Sequence, residues 1–295
     1  MKAATSRLDR APATLLLLLA ILSIQLGSAL AITLFPIYGP LGMLFLRMTI
    51  GGLLLCALYR STVGSALRQA PVGILALGLT MAVQSGSFFE ALSRIPLGIT
   101  VAIEFLGPLS VALIASRRLL DVLCVLLAAA GIALLTPSIG TSLDPVGVMF
   151  AFAAGAGWAC FILLSRQLGK IVEGGAGLAL AMTVAGLILF PFVGVGAVAA
   201  VVAHPETIIV IVGVVLFSAT IPLLFEYLAL KTMPARNYGV LISLEPVVAT
   251  VIGMIVLAET VGLRAWIAVV LITFASIGVA LLHKAEASAA QNLPG

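Results

Sequence analysis

The feature that most limits what this chain can fold into is a recurring one. Apolar stretches of about twenty residues follow one another from Ala13 to Leu282 with only brief connectors between them. An α-helix rises about 1.5 Å per residue, so some 20 such residues cross a hydrocarbon core of about 30 Å. The pattern predicts helical spans at 13–34, 41–59, 72–93, 97–116, 119–136, 146–166, 177–198, 207–230, 237–257 and 261–282. Pro36, Pro40, Pro71, Pro96, Pro145, Pro205 and Pro234 punctuate the connectors.

Charge supports the same class. Only 9% of residues are charged, against about 25% in a soluble domain, and the ten spans leave no stretch long enough for a soluble domain. The expected architecture is an all-α membrane protein. Residues 1–12 and 283–295 form cytoplasmic tails around two five-span halves, 13–136 and 146–282. Lys2, Arg7 and Arg10 ahead of an apolar run, with Ala29-Leu30-Ala31 beyond, have the grammar of a signal peptide. The run is long enough to span, which favours an uncleaved first helix.

Lys and Arg fix the orientation. With the N-terminus inside, one side receives Lys2, Arg7, Arg10, Arg60, Arg68, Arg117, Arg118, Arg166, Lys170, Lys231, Arg236 and Lys284. The other receives Arg94 and Arg264. This bias is the positive-inside signature, and one span more or fewer would scramble it. The net charge of +4 therefore reports topology. No basic cluster interleaved with aromatics suggests nucleic acid.

An internal repeat runs through the chain. Ala91-Leu92-Ser93-Arg94-Ile95-Pro96 returns as Ala229-Leu230-Lys231-Thr232-Met233-Pro234, and at the same offset Pro108 meets Pro246. Arg94 and Lys231 fall on opposite sides, as an odd number of spans per repeat requires. Five-plus-five inverted repeats place a substrate site at their interface near the midplane.

The chemistry lies in polar groups within these spans. A charge at mid-membrane costs about 2.5–3.5 kcal/mol on insertion scales, yet Arg47, Glu90, Glu104, Glu226 and Glu245 all lie within the predicted spans. Such groups line polar paths. Glu104, Glu245 and Glu226 are candidates for proton coupling, because burial favours a protonated carboxyl and a nearby cation favours the carboxylate. Two roles fit Arg47: a bidentate clamp on a substrate carboxylate, or a fixed counter-ion to Glu104 or Glu90. Glu90 and Glu226, near span ends, can also snorkel to the interface. Pro108 and Pro246 are hinge candidates, each removing a helical hydrogen bond and freeing the carbonyl four residues earlier, at Glu104 and Ile242. Gln25 and Gln84 need buried partners, and Ser243 and Ser28 can bond a polar solute. Trp158 follows Gly155-Ala156-Gly157, where small residues let a helix or ligand approach.

No cofactor or metal site is expected. Cys56, Cys124 and Cys160 lack CxxC spacing, His204 and His283 are isolated, and there is no P-loop or HExxH. Gln84-Ser85-Gly86-Ser87 has no histidine near enough to make a nucleophile, so an enzyme is not expected. Connectors this short offer little surface for a protein partner, and two halves in one chain make a monomer the default.

Several segments together resemble the drug/metabolite transporter superfamily, in its ten-helix EamA-type group. They include Ser23-Ile24-Gln25, Leu34-Phe35-Pro36, Leu46-Arg47, the stretch from Pro96 through Glu104 and Gly107-Pro108 to Arg118, Glu226, Leu244-Glu245-Pro246, Gly253-Met254 and Glu259-Thr260. More narrowly, the chain resembles bacterial inner-membrane exporters of threonine and homoserine. Glu90 falls outside the shared pattern. The resemblance implies proton-driven export of small polar amino acids without ATP. The alternative is the same fold with another cargo: a nucleoside, an aromatic amino acid or a cationic drug. A cationic drug would suit an aromatic-lined cavity, and aromatics are only 6% of the chain.

Overall fold

The computed structural model describes residues 13–108, 143–232 and 244–271, with residues 110, 127, 130, 131, 134, 241, 242, 273 and 274. Every regular element among these is helical. In chain order they are α1 (Ala13–Leu58), α2 (Val63–Gln69), α3 (Pro71–Leu92), α4 (Leu97–Glu104) and α5 (Pro145–Ile171). Then come α6 (Ala176–Leu189), α7 (Val195–Ala203), α8 (Ile208–Val215), α9 (Ile221–Thr232) and α10 (Glu245–Val256). Residues 263–271 are helical again. Among the described residues, five helices are long and apolar enough to cross a membrane.

α1 is 46 residues long, about twice what a bilayer core needs. It is two limbs. Gly39 adopts φ 66°, ψ 164°, outside helical space, between Pro36 and Pro40. Pro40 has no N–H to lose at the start of the second limb, and glycine takes positive φ without a Cβ clash. The connector expected between the first two spans thus shrinks to one non-helical residue. Two other helical runs continue through π-helical segments, α6 to α7 across Phe190–Gly194 and α8 to α9 across Leu216–Thr220. Each break has a proline at hand, Pro191 inside the first and Pro222 just after the second.

Two features depart from the sequence expectation. The short α2 sits in what reads as the connector at 60–71. It buries only Ala66, too little to leave an apolar periodicity. The prolines expected to stand inside continuous helices follow interruptions instead. The α-helix stops at Phe105, three residues before Pro108, and a turn at Leu244 puts Pro246 in the first turn of α10. There the missing N–H is one the helix could not have used. Of the predicted fifth span, only residues 127, 130, 131 and 134 are described, and all four are helical.

The packing is that of a protein solvated by lipid. Leu17, Met43, Leu77, Met182 and Val214 are wholly buried at the centre. Phe192, Val202, Ile209 and Ile255 are about four-fifths exposed on the outside, which only an apolar solvent tolerates in such number. Helices approach closely where side chains vanish. A methyl group on Gly27 would overlap the backbone of Ser218, and one on Gly157 would lie 2.5 Å from Gln84 Cβ. Small residues at crossings are how helices gain packing energy when lipid is as apolar as leucine.

Candidate functional site

The buried polar side chains converge. Gln25, Arg47, Ser85, Glu104, Glu226 and Glu245 are each less than 8% exposed, and all six line one cavity with Gln84 and Trp158. The space between these side chains is about 570 Å³, counting the part open to solvent. Its walls come from both limbs of α1, from α3, the end of α4, α5, α9 and the start of α10. Arg47, Glu104, Glu226, Glu245, Gln25, Gln84 and Trp158, expected to bind substrate or couple protons, are all in this wall, whereas Ser28 is buried away from it. Ser243 lies outside the described residues.

Each carboxamide singled out in the sequence holds a carboxylate. Gln84 Nε2 donates to Glu104 Oε1 at 2.7 Å, and Ser85 Oγ donates to Gln84 Oε1 at 2.8 Å. Gln25 Nε2 donates to Glu245 Oε1 at 3.0 Å, joining residues 220 positions apart. Gln25 Oε1 and Glu245 Oε2 are buried without a hydrogen-bond partner among the described residues.

Arg47 is held by backbone and ring. Its Nη1 donates to the Ser218 carbonyl at 3.2 Å, and its guanidinium carbon lies 4.6 Å from the centroid of the Phe89 ring, a cation–π arrangement. The Ser218 carbonyl is available because Pro222, four residues on, has no N–H to offer it. No carboxylate among the described residues forms a salt bridge with Arg47; its coupling to Glu104 is through space. Glu104, Glu226 and Glu245 repel one another through space. Carboxylates gathered in this way are costly to bury while ionised, a cost that protons or an entering cationic group would relieve.

Glu90 stands apart. It pairs with Arg94, just past the end of α3, at 3.0 Å, near the surface, as a snorkelling residue would. Neither Pro108 nor Pro246 lines the cavity. The carbonyl of Glu104, the one Pro108 frees, lies against Gly155: a methyl there would sit 2.8 Å from it. The small residues before Trp158 thus admit neighbouring helices, with Gly155 against α4 and Gly157 against α3.

Sequence reasoning missed the apolar lining: Ile24, Met81, Phe88, Phe161 and Leu223. Spacing carried the signal. Met81, Phe88 and the Gln84-Ser85 pair share one face of α3, and Phe161 stands three residues from Trp158 as Leu223 does from Glu226. The Trp158 ring meets Phe105 edge-on at 5.8 Å. Aromatics are few in the chain, yet Phe88, Trp158 and Phe161 gather here. No group of three His, Cys, Asp or Glu side chains among the described residues is placed to hold a metal ion.

The chain is similar to known proteins. The EamA-like transporter family model covers residues 145–281. Threonine/homoserine exporter RhtA of Escherichia coli (strain K12) is 37% identical over 276 residues, covering 92% of each chain. Its namesake from Salmonella typhimurium (strain LT2) is 37% identical over 277 residues with the same coverage. A chain of known crystal structure superposes with a TM-score of 0.59 at 20% identity, over 91% of this chain and 97% of its own; at that identity the likeness speaks for the fold alone. With this much identity maintained along nearly the whole of both sequences, the protein belongs to the EamA-like transporter family.

Proposed function

We propose that the protein exports small polar amino acids, threonine or homoserine first, from the bacterial cytoplasm in exchange for protons. The observation that carries this reading is the buried cavity in which Arg47 faces three glutamates and two carboxamides. A zwitterion answers that set: its carboxylate meets Arg47, and its ammonium meets Glu245 or Glu104. The names of the relatives supply the specific cargo.

Charge supplies the coupling. With its glutamates ionised the cavity attracts an ammonium group. Protons arriving from the acidic exterior neutralise a carboxylate and weaken that attraction, so cargo leaves outward. Deprotonation toward the cytoplasm restores the site. Alternating access comes from rocking two inverted five-helix repeats, 13–136 and 146–282, in a ten-helix monomer of the inner membrane with both termini in the cytoplasm. The repeated segment at 91–96 and 229–234, the lysine and arginine bias, and the helix breaks before Pro108 and Pro246 support this plan.

A second reading draws on the rings of Phe88, Trp158 and Phe161 in the cavity wall. They suit a larger aromatic or cationic cargo. Inverted vesicles, whose lumen corresponds to the cell exterior, separate the two. With the lumen acidified, labelled threonine uptake should accelerate, and a protonophore should abolish the acceleration. Equal uptake with the gradient collapsed would replace exchange by facilitated diffusion. Indifference to threonine and homoserine, with uptake of an aromatic amino acid or organic cation, would favour the second cargo.

A further inference from the structure

After α10 the chain doubles back. Leu257 and Glu259 both donate their N–H to the Gly253 carbonyl, at 3.0 and 3.2 Å, and Ala258 takes φ 52°. This is the left-handed turn that ends many helices, ordinarily with glycine at its centre. An alanine there is strained, because its Cβ crowds the following carbonyl oxygen.

The turn aims Glu259 at another helix. Its Oε1 accepts the N–H of Leu97, the first residue of α4, at 3.1 Å. That N–H has no acceptor within its own helix, and the capping residue, Pro96, offers no side chain to bond it. Glu259 thus caps α4 from 162 residues away. Its other oxygen fills a niche that exists only because residue 253 is glycine; a methyl group there would overlap Oε2. One residue further along α4, Gly98 packs so tightly on Thr250 of α10 that a methyl would lie 2.7 Å from the Thr250 Cα. Burial pushes the Glu259 carboxyl above its ordinary value, and the Leu97 N–H opposes that shift. In either protonation state one oxygen still accepts the bond.

The two helices joined in this way carry the cavity glutamates. Glu104 ends α4 and Glu245 begins α10, each about 10 Å along its helix from the junction. We propose that Glu259 is a positioning residue for transport. Its side chain latches the start of α4 to the end of α10 and so closes the cavity on the outer side. The latch rests on the orientation and alternating access proposed above, on which this junction lies at the level of Arg94 and Arg264.

The test needs no cargo, so its outcome is independent of which solute is carried. In a cysteine-free full-length background, Val101→Cys places a thiol at a buried position of α4 between the latch and Glu104. Its reaction with a membrane-impermeant maleimide is followed in right-side-out vesicles. Glu259→Ala should raise the labelling rate about ten-fold, the effect of losing one hydrogen bond to a charged group. Glu259→Gln retains an acceptor oxygen and should label at close to the parent rate. Gly253→Ala should reproduce Glu259→Ala with the glutamate still present, because the methyl takes its niche. Leu77→Cys, in the core of α3, serves as the control. Unchanged labelling in both Glu259→Ala and Gly253→Ala would overturn the latch. So would a parallel rise at Leu77→Cys, which would mean general loosening, and a rise seen only in inverted vesicles, which would put the junction on the inner side.

Discussion

Adding one methyl group at Gly157 should disable the cavity without touching a polar residue. In Gly157→Ala the new carbon would lie 2.5 Å from Gln84 Cβ and 2.9 Å from its Cα. Ordinary contact begins near 3.4 Å, so α3 and α5 must part by about 0.9 Å. No rotamer relieves this, because one of the two atoms is backbone. Overpacking of this kind costs about 1–3 kcal/mol of stability. The same displacement moves the carboxamide that holds Glu104 at 2.7 Å. Losing that bond to a buried carboxylate costs about 1.5–3 kcal/mol more, or roughly 10- to 150-fold in whatever step depends on Glu104. The comparison is Gly196→Ala, also in a helix but with no atom within 4 Å of the added carbon, which should be neutral or stabilising by about 0.5–1 kcal/mol. Thermal unfolding of the two purified variants, and threonine export in vesicles, should separate them clearly. If Gly157→Ala melts and transports as Gly196→Ala does, the tight α3–α5 crossing is not what positions Gln84.

Three further outcomes are expected. A cysteine replacing Gly64 should react only with reagent supplied from the cytoplasm, and one replacing the exposed Glu206 only from outside; labelling of both from one side would break the ten-span orientation. Glu104→Gln with Glu245→Gln keeps both volumes and removes both charges, so proton-driven export should be lost while the protein stays folded in the membrane, and full coupled export would remove these residues from the mechanism. Arg47→Lys loses the planar fork and its stacking on Phe89, so the apparent KM should rise about ten-fold or more; an unchanged KM with lowered expression would make Arg47 a structural residue.

How far the sequence led can be followed residue by residue. Long uncharged runs are unambiguous, and the long helices among the described residues lie on them. Gln25 and Gln84 stood out because a buried amide has to find partners, and each found a glutamate. Which glutamate was not legible, since the Gln25–Glu245 bond depends on how distant helices cross. The proline reasoning extends to a proline that the repeat does not mark. Pro108 and Pro246 drew attention because they repeat, whereas Pro222 frees the carbonyl that Arg47 uses. Nothing local to residues 218–222 records that a guanidinium waits across the gap. The aromatic lining was hidden for a similar reason: a composition of 6% says how many rings exist and not that three share a wall.

The grip on Arg47 has a consequence for inheritance. Its acceptor is the Ser218 carbonyl, an atom every amino acid possesses. No single base change at codon 218 can delete it. What can is a change of register: an insertion or deletion within 216–220, or a residue at 222 whose restored N–H competes for the same oxygen. As far as this bond goes, relatives that keep the arrangement can change the side chain at 218 within what its buried site beside Gly27 admits, while holding proline at 222 and the spacing between the two. Alignments that score letters would then rank Ser218 as dispensable and pass over the contact altogether.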